Sequence, residues 1–213
     1  MSTWAIVVAA GDATRFGAAK LFARLGGVTV LDRAVGSARE VCAGVVVVLR
    51  ADDEWTAPAG VERTVGGATR SESVRAGLAL VPDDATVIVV HDAARPLATR
   101  ALWAAVLAAV RDGADAAIPA LPLTDTVKRV KEGRVVETVP REDLYGVQTP
   151  QAFAAAALRA AHAQRDDATD DAALIEANGG RVVVVPGETR NLKLTVFADL
   201  ELAQALLDTG SGQ

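Results

Sequence analysis

The chain has 213 residues, 51% of them apolar, and a formal charge of −5 at neutral pH. That length suits one domain with a sizeable core, and the acidic balance argues against a general nucleic-acid binder, whose footprint is a basic excess. The single cysteine, Cys42, excludes a disulfide framework or a cysteine zinc site within one chain, and no apolar run approaches the roughly 20 residues that span a bilayer. Met1-Ser2-Thr3-Trp4 leads into an apolar strand without a basic n-region. No signal peptide is therefore expected, and the expected location is the cytoplasm.

In chain order, Ala5 to Ala10 is a short apolar run ended by Gly11, which reads as a buried strand opening into a loop. Apolar residues at helical spacing follow over Val30 to Val41, then a strand-like run at Val45–Leu49, a helical pattern over Ser71 to Leu80 and a strand at Val87–Val90. A helix is predicted over Thr99 to Val110 and a strand over Ala116–Ala120. Thr124–Val130 and Arg134–Val139 alternate polar and apolar residues around Lys131-Glu132-Gly133, a hairpin signal. Helical patterns over Pro150 to Ala163 and Asp170 to Ala177, a strand at Val182–Val185 and a helix over Phe197 to Leu207 complete the chain.

Short, nearly continuous β-branched runs fit strands covered on both faces. Their alternation with helices predicts an α/β fold of one domain: a three-layer, Rossmann-like sandwich with a mostly parallel sheet and functional loops at the strands' carboxyl ends. The hairpin has too little core to stand alone, so it is predicted to protrude as an arm, at about residues 122–141, that embraces a second subunit. A homodimer is the expected assembly.

Three stretches carry chemistry. Ala9-Ala10-Gly11 opens a loop of small residues whose free N–H groups suit phosphate oxygens, and Arg15 and Lys20 add two cations to it. That combination is what a triphosphate requires, though a solvated basic loop would look the same. The run from Val87 to Pro96 delivers Asp92 and Arg95 at the end of a buried strand. Asp92 suits Mg²⁺ or a ribose or polyol hydroxyl. Arg95 suits a phosphate or a structural pairing with Asp92. His91 lacks a second ligand at metal spacing and reads as structural. Lys193, flanked by Leu192 and Leu194, and Arg141, after Pro140, read equally as site cations or as solvated residues. Thr169 before Asp170 reads as a helix N-cap.

The Ala-Ala-Gly opening with Arg15 and Lys20 resembles the signature of the sugar nucleotidyltransferases. The loop departs from it at Ala13 and Ala19, where the family usually has Gly and Pro, is shorter between Arg15 and Lys20, and carries Asp12. His91-Asp92-Ala93-Ala94-Arg95-Pro96 resembles the signature of the 2-C-methyl-D-erythritol 4-phosphate cytidylyltransferases and the related ribitol 5-phosphate cytidylyltransferases. Further matching stretches occur in order: Gly66 to Val74, Asp125-Thr126-Val127-Lys128, Arg141, Thr149-Pro150-Gln151, Thr169-Asp170-Asp171-Ala172 and Asn191 to Thr195.

The resemblance implies transfer of CMP from CTP to a polyol phosphate with Mg²⁺ held mainly by the CTP phosphates, Asp92 assisting. It implies that Ala9, Ala10, Gly11, Gly67, Ala68, Arg70, Ser73 and Asp92 bind CTP, with backbone groups near Gly67 and Ala68 and the Ser73 hydroxyl reading the base. It further implies that Asp92, Arg95, Thr126, Arg141, Thr149, Thr169 and Lys193 serve the acceptor, Thr126 and Arg141 from the neighbouring subunit's arm. Arg15, Lys20, Arg141 and Lys193 are the expected catalytic cations. The alternatives are the same chemistry on ribitol 5-phosphate, or a CTP-binding sensor that has lost transfer.

Overall fold

The computed structural model describes residues 2–11, 19–164 and 167–210. Its elements run β1 (Thr3–Val8), α1 (Ala19–Phe22), β2 (Arg24–Leu25), β3 (Val28–Thr29), α2 (Val30–Arg39), β4 (Gly44–Leu49), β5 (Val61–Val65), α3 (Arg70–Leu78), β6 (Val87–Asp92) and α4 (Arg100–Arg111). Then come β7 (Ala116–Pro122), β8 (Val127–Lys131), β9 (Arg134–Val139), β10 (Tyr145–Val147), β11 (Gln151–Ala154), α5 (Ala155–Ala163), α6 (Asp171–Ala177), β12 (Val182–Pro186) and α7 (Phe197–Gly210).

The main sheet is ordered β10-β7-β11-β6-β1-β4-β5, with β12 also paired to β7. β5, β4, β1 and β6 are mutually parallel, as are β7 and β12, while β11 enters antiparallel between β6 and β7. Because strand side chains alternate faces, Ala5 and Val7 join one core while Ile6 joins the other. The first core is closed by α2, α4 and α7, the second by α3, α5 and α6. The result is the expected three-layer, mostly parallel α/β sandwich. Both faces of β4 are buried, which is why Val45 to Leu49 shows no polar alternation.

One predicted helix is split. The helical pattern over Pro150 to Ala163 contains a strand, β11, before α5 begins at Ala155. Alanine's helix preference is overridden because β6 and β7 leave a slot that only an extended segment fills, and Phe153 is wholly buried there. The N-cap of α6 is Asp170, whose carboxylate accepts the Ala173 N–H at 3.1 Å, and not Thr169. The Asn191–Thr195 stretch, where Leu192 and Leu194 flank Lys193, forms no strand.

β8 and β9 form a separate two-stranded sheet. Their turn places Glu132 at φ 50° and Gly133 at φ 75°, the left-handed pair that a two-residue hairpin demands. Val130, Val135 and Val136 on this arm are each more than half exposed. Among the described residues no helix is long and apolar enough to cross a membrane.

Candidate active site

The carboxyl ends of β1, β4, β5 and β6 converge on a cleft of about 660 Å³, the size of a small-ligand site. Ala9, Ala10 and Gly11 follow β1 into it, Gly67, Ala68, Arg70 and Ser73 follow β5, and Asp92 ends β6. Lys20 from α1 and Lys193 from the segment before α7 complete the wall. These ten residues, widely separated in sequence, are thus brought together. Arg15, with Asp12 and Ala13, lies outside the described residues.

Two loops approach unusually closely at Gly66. A β-carbon there would lie 2.5 Å from Ala10 Cβ and 2.7 Å from Ser73 Oγ, so only glycine fits between them. Thr69 caps α3 by accepting the Glu72 N–H, and Glu72 answers by accepting the Ala68 and Thr69 N–H groups. The Ala68 N–H, one of the groups expected at a base edge, is thereby committed to Glu72 at 2.6 Å. The buried Ser73 hydroxyl donates to Thr69 O at 3.0 Å.

Asp92 is the one carboxylate among the described lining residues. Its Oδ2 accepts Lys193 Nζ at 2.7 Å, and Arg70 Nε stands 3.8 Å from Oδ1. Burial raises its pKa, but Lys193, Arg70 and Arg95 outweigh burial and hold it below the usual carboxylate range. Lys20 is pushed below the ordinary lysine value, first by burial and then by the charge of Lys193; Asp199 and Asp92 oppose the shift. Two ammonium groups therefore share one cleft, with Lys193 paired to Asp92 and Lys20 disfavoured by its neighbour. An entering polyanion removes that conflict.

The other expected acceptor residues do not line the cleft. Arg95 donates to Asn191 O at 2.8 Å and Val147 O at 3.3 Å, so its direct partners are backbone carbonyls and not Asp92. Thr149 is buried, accepts the Asp92 N–H at 3.0 Å and stands 3.1 Å from His91 Nδ1. His91 Nε2 faces Arg95 O at 3.1 Å, which makes Nε2 the donor and Nδ1 the acceptor for the Thr149 hydroxyl. His91 and Thr149 thus brace the end of β6. Thr169 is exposed beside α6, while Thr126 and Arg141 are exposed on the arm, Arg141 donating to Thr124 O.

Arg50, at the end of β4, lines the cleft and was not anticipated; its only sequence signal is a cation directly after an apolar strand. Its head group is held by buried Asp53.

Among the described residues no group of three or more His, Cys, Asp or Glu could hold a metal. A lone Asp92, already bridged to Lys193, is a poor cage for a resident ion. It fits Mg²⁺ that arrives on nucleotide phosphates, since Mg²⁺ commonly takes one protein carboxylate and completes its shell with phosphate and water.

A parallel sheet with small-residue loops, facing ammonium groups and one carboxylate at its carboxyl edge defines a nucleotidyltransferase of the three-layer α/β type. Residues 3–209 match the model of the 2-C-methyl-D-erythritol 4-phosphate cytidylyltransferase family. The chain is 46% identical over 213 residues to the protein of that name from Frankia casuarinae, covering 95% of this chain and 80% of that one. It is 45% identical over 217 residues to the one from Rhodococcus jostii, covering 97% and 96%. A bifunctional enzyme IspD/IspF from Clavibacter michiganensis is 46% identical over 226 residues, of which the match spans 97% of this chain but 55% of the longer protein. The crystal structure of 2-C-methyl-D-erythritol 4-phosphate cytidylyltransferase from Thermus thermophilus superposes with a TM-score of 0.84 at 36% identity, covering 95% of this chain and 98% of that one. The chain belongs to the 2-C-methyl-D-erythritol 4-phosphate cytidylyltransferase family, and these matches favour methylerythritol phosphate over ribitol phosphate.

Proposed function

We propose that this chain transfers CMP from CTP to 2-C-methyl-D-erythritol 4-phosphate in the cytoplasm, releasing pyrophosphate, and works as a homodimer. The observation that carries this reading is the pairing of Lys20 and Lys193 across one cleft, where a charge conflict awaits an anion. An oxygen of the acceptor phosphate attacks the α-phosphorus of CTP in line; the new P–O bond forms as the bond to the β-phosphate oxygen breaks, and pyrophosphate departs. The attacking phosphate is ionised near neutral pH, so no strong general base is needed. Catalysis is positioning plus charge stabilisation.

Lys20, with Arg15, neutralises the triphosphate and the charge that builds on the leaving pyrophosphate. Lys193 holds the acceptor phosphate, and Asp92 keeps Lys193 aimed while presenting an oxygen to a hydroxyl. Mg²⁺ carried on the CTP phosphates supplies further charge neutralisation there. The Gly66–Ser73 loop takes the cytosine.

The arm supports the dimer. Its valines Val130, Val135 and Val136 are exposed apolar surface among the described residues, and Arg141 and Thr126 lie outside the cleft. If a partner's Arg141 completes the site, mixing two weak variants restores function. Lys193→Ala and Arg141→Ala, each nearly inactive alone, are expected to give about a quarter of wild-type activity after co-refolding, because a heterodimer holds one intact site. Activity no higher than the sum of the parents would place Arg141 in its own chain's site.

The test of the whole reading is pyrophosphate release with Mg²⁺ and CTP, comparing methylerythritol 4-phosphate with ribitol 5-phosphate. Release dependent on the first acceptor is expected. Release dependent only on the second would overturn the acceptor assignment and keep the chemistry.

A further inference from the structure

A chain of polar contacts leads out of the cleft into the core between α5 and α6. Lys193 Nζ bonds Asp92 Oδ2 at 2.7 Å, and Arg70 Nε stands 3.8 Å from the other Asp92 oxygen. Arg70 Nη1 donates to Asp171 Oδ2 at 2.7 Å. Asp171 Oδ1 takes His162 Nε2 at 2.9 Å. Asp171 is fully buried and His162 is 3% exposed.

The arrangement has a cost that packing alone does not explain. A carboxylate removed from water is tolerated only when both oxygens are met, and two apolar side chains would join α5 to α6 with less desolvation. Arg70 meets one oxygen of Asp171 and His162 meets the other. Burial works against the Arg70 charge, but Asp171 and Asp92 outweigh it and raise its pKa above the ordinary arginine value. The guanidinium is a planar fork, so fixing Nη1 on Asp171 also fixes the direction of Nε at the cleft wall. The plane of Arg70 is thus set by α5 and α6.

We propose that His162, which lies outside the cleft, is a positioning residue for CTP: it holds the Asp171 carboxylate, which aims Arg70. This rests on the cleft being the CTP site. Without the His162 N–H, Asp171 turns to satisfy its freed oxygen. Arg70 then slides toward Asp92 and competes with Lys193 for it. Nucleotide binding weakens while the transferring groups stay in place.

The test is steady-state pyrophosphate release by the full chain. His162→Leu is expected to raise KM for CTP about tenfold, the low end of the cost of removing a hydrogen-bond partner that orients a binding group from behind, with kcat within about twofold. His162→Gln, whose amide reaches Asp171, should return KM most of the way. In an Arg70→Gln background, His162→Leu should add no further rise. If His162→Leu does not fold, Asp171→Asn is read in the same way, with and without Arg70. An unchanged KM alongside a lowered melting temperature would make His162 merely structural and overturn the proposal. So would a rise of equal size in both Arg70 backgrounds. Wild-type protein that fails to bind CTP would instead fall on the reading of the cleft.

Discussion

Replacing Lys193 by alanine is expected to lower kcat/KM for cytidylyl transfer by about 100- to 1,000-fold, the scale of losing one preorganised charge partner of a phosphoryl oxygen. Two effects act together. The acceptor phosphate loses its ammonium. Asp92, largely buried, also loses its hydrogen-bonded cation and keeps Arg70 at 3.8 Å and the charge of Arg95, so it presents less fully compensated negative charge to an incoming anion. Much of the loss should therefore fall on KM for the acceptor. Lys20→Ala should instead fall mainly on kcat, because Lys20 is matched to charge that grows as pyrophosphate leaves. Neither lysine is buried in the core, so far-UV circular dichroism and the melting temperature should stay close to wild type. Pyrophosphate release against each substrate in turn separates the two cases. Full activity of Lys20→Ala would remove that residue from the mechanism.

Lys20 was legible because it follows a small-residue loop after the first strand, whereas Lys193 read equally as a solvated residue and gained its role only through the family resemblance. The strands covered on both faces were legible for the same kind of reason: Val45 to Leu49 and Val87 to Val90 have no polar side to hide. β5 was missed because it is an edge strand. Its Glu62, Arg63 and Thr64 face solvent or the sheet's end, so Val61–Val65 lacks an apolar run. β10, only three residues long, left no pattern either. β11 was missed because alanine says helix locally while the slot between β6 and β7 decides otherwise. In the site, sequence order alone could not tell residues that face the cleft from residues that brace it. Arg95 and Thr149 sit in stretches that resemble the family, yet their polar atoms go to backbone carbonyls, to the Asp92 N–H and to His91. The Arg70–Asp171 pair joins residues 101 positions apart, and no local pattern encodes such a contact.

Acid should destabilise this protein well before its carboxylates titrate in bulk, and His91 is the reason. Its ring is fully buried, tilted against Trp103 with centroids 5.1 Å apart, and bonded to Arg95 O and the Thr149 hydroxyl. Burial pushes its pKa down from 6.5 to about 4, with the Arg95 charge adding to the shift and Asp92 and the Arg95 carbonyl opposing it. Above about pH 6.5 the ring is neutral whether the chain is folded or not, and its contribution is complete. Below that, the unfolded chain takes up a proton that the folded chain refuses until about pH 4. The unfolded state then binds more protons, and stability falls as pH falls. The slope approaches about 1.4 kcal/mol per pH unit, or on the order of 3 kcal/mol across the window. Asp92, also held low in the fold, extends the loss at still lower pH. Urea unfolding between pH 7.5 and 4.5, in chelator and without nucleotide, measures this directly. His91→Gln should be less stable at pH 7.5, since it gives up the fit against Trp103, yet lose less on acidification. Parallel stability curves for the two proteins would mean that the acid sensitivity arises elsewhere. A flatter curve for the variant would tie it to the ring that braces the end of β6.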